Sequence, residues 1–387
     1  MTLESGNADT LPATWKNASE AEQLLGFVNW DALKKYAVRV KIRRDHTASA
    51  ITCSLSPAYA LGGCHVVRRL DFQDGTRWVA RLQQQSGISV QRLLTEVHTV
   101  QLIRERTSVP VPEIIDYDAS CSNDIGIPLM LLEYIPADTA MDSFGGWHAH
   151  GGKIPAQFRA PFYAAMARNQ VDLMSVRFPK IGSIVQRPDG SYSVGAIPGI
   201  GGPFETAAEY FRAWAQARKF PFKEDLIRER TPPHLVDEII ASIYGFPGKL
   251  SDFTKRHSFK SGPFPLIHPD LYTSNVLIDS QCNILGVIDW ENSFVGPWEM
   301  VEFPKNITLV PPVMDGSSYR EDESERDCRL EQKRYVEVVK EAEGARQMDG
   351  KLSDALGDEN SQNLGQALWL WADGRIGYYS RVLELFD

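Results

Sequence analysis

Three polar side chains in the second half of the chain, Asp270, Asn275 and Asp289, constrain the fold more than any other feature. Asp270 and Asn275 stand five positions apart, and Asp289 follows two short apolar runs at residues 276–278 and 284–288. Such runs, joined by a polar segment, predict two buried strands that form a hairpin. The hairpin would return Asp289 to the side of Asn275, so the sequence predicts oxygen ligands gathered at one place.

These residue types match the needs of phosphoryl transfer from ATP, which requires a carboxylate to orient the accepting hydroxyl and oxygen ligands to hold Mg²⁺. We therefore expect Asp270 to be catalytic and Asn275 and Asp289 to be metal ligands. Alternatively, all three are ordinary cap or turn residues, because aspartate and asparagine favour turns. Their joint order between two strands favours the catalytic interpretation. His268, which opens the motif, is expected to stabilise the loop by a hydrogen bond.

The stretch from Asp270 to Asn275, with Asp289-Trp290-Glu291 after it, resembles the aminoglycoside phosphotransferase and choline kinase family, the small-molecule relatives of protein kinases. Its spacing equals that of the protein-kinase catalytic loop H-R-D-x-x-x-x-N, and Asp289 stands where D-F-G would. The resemblance covers about residues 50 to 305. Segments at 178–183 and 189–195 resemble the version of the domain common in filamentous fungi.

The resemblance implies an α+β, bilobal protein-kinase-like fold. Residues 1–135 would form the N-terminal lobe, an antiparallel sheet plus a helix preceded by a helical extension, and residues 136–387 a larger, mainly helical C-terminal lobe. Hydrophobic periodicity agrees. It predicts strands at 66–72, 77–82 and 129–134, a first helix between 19 and 38, and further helices at 90–106, 158–176, 207–218, 235–244, 335–345 and 364–386. The acidic segment 314–327 is expected to be a surface loop, and residues 1–20 to be loose.

A nucleotide site follows from the resemblance and from residue chemistry. The expected nucleotide-binding residues are Gly62, Gly63, Arg81, Glu96, Glu133 and Ile135. The two glycines would let backbone N–H groups approach phosphate oxygens, and the backbone of Glu133 and Ile135 would meet the adenine edge. Arg81 replaces the lysine of protein kinases, and its guanidinium can bond phosphate and carboxylate together. The alternatives are a plain hairpin turn at the glycines, and a structural Arg81–Glu96 ion pair in a protein that no longer transfers phosphate.

The acceptor is less clearly encoded. Glu291, Glu299 and Asp373 are candidate substrate residues that would suit a cationic amine or aminosugar, although solvated or capping carboxylates are the commoner use of such residues. Tryptophans 290, 298 and 371 would form either an aromatic wall for a ligand or part of the core.

Composition sets the remaining limits. With 387 residues, 43% of them hydrophobic, the chain can bury a large core. A net charge of −9 disfavours binding to nucleic acid, and no apolar run is long enough to cross a bilayer, so we expect a cytoplasmic protein without membrane contact.

The expected function is ATP- and Mg²⁺-dependent transfer of the γ-phosphoryl group to a hydroxyl of a small molecule. A nucleotide-binding scaffold, and an enzyme that transfers adenylate or activates a carboxylate, are the alternatives.

Overall fold

The chain divides into two units, and the computed structural model describes residues 16–17, 26, 28–46, 51–84, 89–316 and 319–386. The first unit comprises residues 1–152 and 274–291, and the second comprises 153–273 and 292–387. Antiparallel strands dominate the first unit and helices the second, which confirms the α+β class. The units are a different partition from the predicted lobes, so the lobe boundary after Ile135 stays a prediction.

A six-stranded antiparallel sheet is the framework of the first unit. Its strands are β1 (Lys16–Asn17), β2 (Cys53–Leu61), β3 (His65–Phe72), β4 (Arg77–Gln83), β5 (Ile114–Asp118) and β6 (Leu129–Glu133). They lie in the order β1-β2-β3-β4-β6-β5. The predicted strands at 66–72, 77–82 and 129–134 are confirmed to within one residue at each end. Gly75 makes the turn between β3 and β4 with φ +85°, a conformation that glycine adopts without a steric penalty.

Two helices pack on opposite faces of this sheet. Their contacts with β6 show this, since successive side chains of a strand point to opposite faces. Helix α1 (Trp30–Asp45) packs with Leu129 and Leu131 of β6, whereas helix α2 (Val90–Arg106) contacts Met130, which lies between them. Ser89 caps α2 by accepting a hydrogen bond from the Arg92 N–H at 3.3 Å. The predicted helix at 90–106 is confirmed. The first helix, predicted between residues 19 and 38, was wrong in its extent, because α1 begins at Trp30, with Asn29 as its cap, and continues to Asp45. The predicted start at residue 19, and the loose segment 1–20 apart from residues 16–17, lie outside the described residues.

A second, three-stranded sheet completes the first unit. It consists of β7 (Asp138–Thr139), β12 (Val276–Ile278) and β13 (Ile284–Val287), with β12 in the centre. Two short helices, α3 (Ala140–Ser143) and α4 (Trp147–His150), follow β7. The β12–β13 hairpin pairs Val276 with Val287, and the N–H of Ile288 donates to the carbonyl of Asn275 at 2.9 Å. The predicted hairpin is therefore present, and it returns the chain to Asn275.

Helices and small sheets build the second unit. Its helices are α5 (Ala156–Leu173), α6 (Ala207–Ala217), α7 (Glu224–Glu229), α8 (Val236–Phe253), α9 (Glu323–Arg346), α10 (Lys351–Gly357), α11 (Glu359–Ala372) and α12 (Ser380–Leu383). Its strands are β8 (Arg177–Phe178), β9 (Ser183–Gln186), β10 (Tyr192–Gly195), β11 (Phe264–Ile267) and β14 (Phe294–Val295). Short 3₁₀ turns lie at Trp298–Met300, Lys305–Ile307, Pro312–Met314 and Glu384–Phe386, and another, Thr273–Asn275, spans the junction of the units.

Aromatic side chains join the helices of the second unit. The rings of Tyr163 in α5 and Tyr335 in α9 meet edge to face with centroids 5.6 Å apart. Trp214 of α6 lies 6.3 Å from Phe246 of α8 and 5.2 Å from Trp371 of α11. Contacts of this kind add to the stabilisation that burial alone provides.

Several predicted segments of the second unit were wrong in their extent. The helices expected over 235–244 and 335–345 run instead over Val236–Phe253 and Glu323–Arg346. The acidic segment expected as a loop up to residue 327 contains the start of α9, where Asp322 and Glu325 form a reciprocal capping box. The helix expected over 364–386 ends at Ala372, because Gly374 takes φ +83° just beyond it and stops the helix. No helix among the described residues is long and apolar enough to cross a bilayer.

Gly365 in α11 supplies a test of packing in the second unit. A Cβ built on Gly365 would lie 2.4 Å from the carbonyl oxygen of Glu299, which is backbone and cannot move aside easily. Gly365→Ala should therefore lower the free energy of unfolding by about 2 kcal/mol. A Cβ on Gly344 in α9 would meet open space, so Gly344→Ala should raise it by about 0.5 kcal/mol through helix propensity. Urea denaturation of both variants measures this difference, and equal effects would contradict it.

Candidate active site

A cavity of about 660 Å³ in the first unit holds most of the predicted site. Every residue that lines it belongs to this unit. The lining includes all the expected nucleotide residues, both expected metal ligands and one of the expected substrate residues, namely Gly62, Gly63, Arg81, Glu96, Glu133, Ile135, Asn275, Asp289 and Glu291. Residues far apart in sequence are thus brought around one space.

The Gly62-Gly63 turn forms one rim of the cavity. The N–H of Gly62 donates to the carbonyl of His65 at 2.9 Å, and the side-chain amide of Gln84 donates to the carbonyl of Gly62 at 2.9 Å. A Cβ on Gly63 would meet nothing within 4 Å, and one on Gly62 would come no closer than 3.6 Å to its neighbours. Neither position has the positive φ that demands glycine. The fold of the chain therefore does not require glycine at Gly63, which leaves room for a ligand beside the backbone.

Arg81 bridges two elements of the cavity wall. Its Nη1 lies 2.5 Å from Glu96 Oε1 on α2, and its Nη2 lies 2.6 Å from Asp289 Oδ1. Burial lowers the pKa of Arg81, but the charges of Glu96 and Asp289 outweigh that effect and raise the pKa above its ordinary value. Burial likewise raises the pKa of Glu96, against the opposing charge of Arg81. A guanidinium can hold two carboxylates at once because its donors form a fork.

Glu291 lies near the same guanidinium nitrogen as Asp289, with Oε2 3.9 Å from Nη2 of Arg81. The same oxygen is 3.5 Å from Nδ1 of His65, in the first strand after the glycine turn. Burial and the charge of Arg81 lower the pKa of His65 to about 3, so this imidazole is neutral at pH 7 and the contact is not an ion pair. Burial raises the pKa of Glu291. Glu291 therefore lies beside the strand that follows the Gly62-Gly63 turn, and it lines the same cavity.

Asn275 and Asp289 lie at the open end of the β12–β13 hairpin. Asn275 is buried, whereas the side chain of Asp289 is 44% exposed, and Arg81 engages only its Oδ1. Asp289 has φ +64°, a left-handed conformation that aspartate tolerates better than most residues and that often occurs at functional sites. Among the described residues no group of three or more histidine, cysteine or acidic side chains is arranged to hold a metal. An amide oxygen, one carboxylate and ligand phosphates together suit Mg²⁺, which commonly binds in that way.

The end of β6 and the residues after it form another part of the cavity wall. The N–H of Glu133 donates to the carbonyl of Glu113 at 2.9 Å, and the carbonyl of Ile135 accepts from the N–H of Ala137 at 2.9 Å. Apolar side chains cover the cavity between this strand end and the hairpin, namely Val67, Val79, Val100, Met130, Leu132 and Leu277. An apolar space beside a strand end suits a planar base.

Asp270 belongs to the second unit, in the loop after β11. The Asp270 N–H donates to Nδ1 of His268 at 3.1 Å, so the hydrogen bond expected of that buried histidine is present. The carbonyl of Asp270 accepts from the N–H of Tyr272 at 2.8 Å, and that of Leu271 accepts from the N–H of Lys305 at 3.0 Å. The side chain of Asp270 stays exposed on this fixed loop.

The other two expected substrate residues also lie in the second unit. Glu299 is 3% exposed and accepts the N–H of Lys260 at 2.7 Å, so one of its oxygens already serves the fold. Asp373 follows the last residue of α11 as its C-terminal cap, and its exposed side chain forms no ion pair or hydrogen bond with other described residues. Burial raises the pKa of Asp373, against the charge of Lys305. The assignment of Glu291, Glu299 and Asp373 to the substrate therefore stays a prediction.

Tryptophans 290, 298 and 371 are each 1% exposed. Their indole N–H groups donate to the carbonyls of Val287, Pro263 and Ile243, which is typical of core residues.

The sequence analysis did not single out Thr139 and Asp142, which line the cavity beside the hairpin. Their T-x-x-D pattern is a helix-start signal, and Thr139 does cap α3, so the pattern by itself indicated a helix and not a site.

The model of the phosphotransferase enzyme family matches residues 65–300. A curated relative, "Altered inheritance of mitochondria protein 9, mitochondrial" of Candida tropicalis, is 25% identical over 185 residues, which is 46% of this chain and only 29% of that protein. This chain therefore matches less than a third of the length of that relative.

Three solved structures show low sequence identity. A macrolide 2′-phosphotransferase type I is 14% identical with a TM-score of 0.44, covering 96% of this chain and 98% of that one. A putative aminoglycoside phosphotransferase from Ralstonia eutropha is 14% identical with a TM-score of 0.47, covering 92% and 94%. A thermostable mutant of an aminoglycoside phosphotransferase, in complex with ADP and hygromycin B, is 13% identical with a TM-score of 0.44, covering 90% and 96%.

The match to the family model carries the assignment, since it includes more than half of the chain. It begins at the first strand after the glycine turn and extends beyond Asp270, Asn275 and Asp289. The resemblance stated from the sequence is thus confirmed at the level of the family, and this chain belongs to the phosphotransferase enzyme family.

Proposed function

We propose that this protein transfers the γ-phosphoryl group of ATP to a hydroxyl group of a small molecule in the presence of Mg²⁺. The supporting observation is the first unit's cavity, in which Arg81, Asn275 and Asp289 converge below the Gly62-Gly63 turn. Membership of the phosphotransferase family supports the reaction class. The acceptor is proposed to be an amine, an aminosugar or a secondary metabolite.

Each residue has a separate role in this proposal. The adenine lies in the apolar space at Glu133 and Ile135, and the phosphates lie under the glycine turn. Arg81, held in place by Glu96, neutralises phosphate charge, and Asn275 and Asp289 would hold Mg²⁺, which supplies charge neutralisation at the phosphates when bound. Asp270 accepts or orients the proton of the acceptor hydroxyl. Positioning and charge then account for catalysis without a covalent enzyme intermediate.

Product analysis tests the reaction class. The protein is incubated with ATP, Mg²⁺ and a panel of hydroxyl-bearing amines, aminosugars and other metabolites, and products are identified by mass. ADP with a phosphorylated acceptor is the expected result. An acceptor that carries AMP, together with pyrophosphate, would instead indicate adenylate transfer, and free AMP with pyrophosphate would indicate carboxylate activation. Thermal stabilisation by ATP without any product would indicate a nucleotide-binding scaffold.

Asp270→Ala should reduce turnover by about 10²-fold or more, because it removes the group that takes the acceptor proton. Affinity for ATP should change little, because the proposed nucleotide contacts lie in the first unit. Turnover assays and calorimetric ATP titration measure the two effects. Asp252→Ala, which removes an exposed aspartate that pairs with Lys255, is the matched control and should change neither quantity. Wild-type turnover in Asp270→Ala would rule out the assigned role.

Gly63→Ala tests the phosphate-binding turn. A methyl group there meets nothing in the protein, so the free energy of unfolding should stay within about 0.5 kcal/mol of wild type. Because the methyl group would occupy the space proposed for phosphate oxygens, ATP binding should weaken about tenfold. Gly344→Ala, the same change in α9, should leave ATP binding unaltered. If Gly63→Ala binds ATP as tightly as wild type, the turn is a plain hairpin.

A further inference from the structure

A buried polar network in the second unit underlies the loop of Asp270. Its centre is Glu302, which is 8% exposed. Glu302 Oε2 lies 2.7 Å from Nζ of Lys305, and Oε1 accepts from the side-chain amide of Gln366 in α11 at 2.5 Å. The side-chain amide of Gln170 in α5 donates to the backbone carbonyl of Glu302 at 2.8 Å. Both carboxylate oxygens are therefore committed to partners.

The network extends from Lys305 to the catalytic loop. The backbone N–H of Lys305 donates to the carbonyl of Leu271, the residue after Asp270, at 3.0 Å. The ammonium of Lys305 lies 5.3 Å from the ring centroid of Trp369, one turn before Asp373 in α11. The side chain of Lys305 is thus fixed from two sides, while its backbone holds the loop.

Burying an ion pair seldom stabilises a fold, since desolvation of the two charges offsets their attraction. Because Lys305 of this buried pair also holds the loop of Asp270, the pair suggests that the position of the loop matters. We propose that Lys305, anchored by Glu302 and Gln366, is a positioning residue that fixes the Asp270 loop for proton transfer. This inference rests on the proposed function, in which Asp270 is catalytic.

The ionisation of Glu302 gives this network a signature in pH. Burial raises the pKa of Glu302 to about 7, with the charge of Asp270 acting in the same direction and Lys305 and Gln366 acting against it. His268 also lines the small cavity of about 20 Å³ beside Glu302. Above pH 7 the carboxylate is ionised and pairs with Lys305. Below pH 7 it is protonated and the pair is lost, so kcat should fall as the pH drops through about 7.

The experiment measures kcat, the Kd of ATP and the pH dependence of kcat in the intact chain. Lys305→Met should lower kcat about tenfold or more without changing the Kd of ATP, because a small misplacement of a catalytic group is costly. The side chain of Glu302→Gln cannot ionise. The kcat of this variant should therefore equal that of wild type at low pH, and it should not change as the pH passes through about 7. Lys305→Arg keeps the charge and should retain kcat within about threefold.

Lys340→Met is the matched control, because Lys340 pairs at 2.8 Å with Glu337 on the exposed face of α9 and should affect neither kcat nor its pH profile. Wild-type kcat and pH profile in Lys305→Met would overturn the inference. If Lys305→Met does not fold, the pH profile of Glu302→Gln decides, and an unchanged step near pH 7 overturns the inference. Full activity of Asp270→Ala would instead overturn the proposed function, so the two failures are distinguishable.

Discussion

The first unit's cavity depends on the ion pairs of the Arg81 guanidinium with two carboxylates. A buried cation is costly unless it is paired, and here α2 supplies Glu96 while the end of the hairpin supplies Asp289. One side chain therefore ties a sheet strand, a helix and a second sheet to a common point. Because its carboxylate partners already hold it, the cation is oriented before any ligand arrives, which is the condition under which charge contributes most to binding and catalysis.

The backbone around Asp289 follows from the same constraint. A left-handed conformation at a non-glycine residue costs of order 1 kcal/mol, and the surrounding structure has to enforce it. The hydrogen bond from the N–H of Ile288 to the carbonyl of Asn275 fixes the backbone just before Asp289, and the ion pair with Arg81 holds the Asp289 side chain. In this conformation the carboxylate points at Arg81 and still keeps a large part of its surface accessible.

Local patterns allowed much of the fold to be predicted, because strand and helix periodicities are properties of short segments. The β3, β4 and β6 strands, helix α2 and the β12–β13 hairpin all followed from them. The start of α9 did not, since a run of acidic residues resembles a loop unless the Asp322–Glu325 capping box is recognised.

The site residues likewise fall into those that the sequence predicts and those that it does not. Asp270, Asn275 and Asp289 carry a spaced motif, whereas the link between Glu302 and Gln366 joins residues 64 positions apart and has no sequence signal. Burial of Glu299 could not be foreseen either, because it depends on α11 packing against the 3₁₀ turn at Trp298–Met300. Long-range packing, which no short pattern encodes, decides both cases.

The route of the chain between its two units has a practical consequence. The first unit is discontinuous, because residues 274–291 return to it after 121 residues, 153–273, of the second. A recombinant fragment ending near Gly152 would lack β12 and β13, leaving β7 without its pairing partner and Arg81 with Glu96 as its remaining carboxylate. Dissection of this protein at a single cleavage point would therefore yield an incomplete half, and a minimal version of the first unit would need the hairpin grafted back through a designed linker.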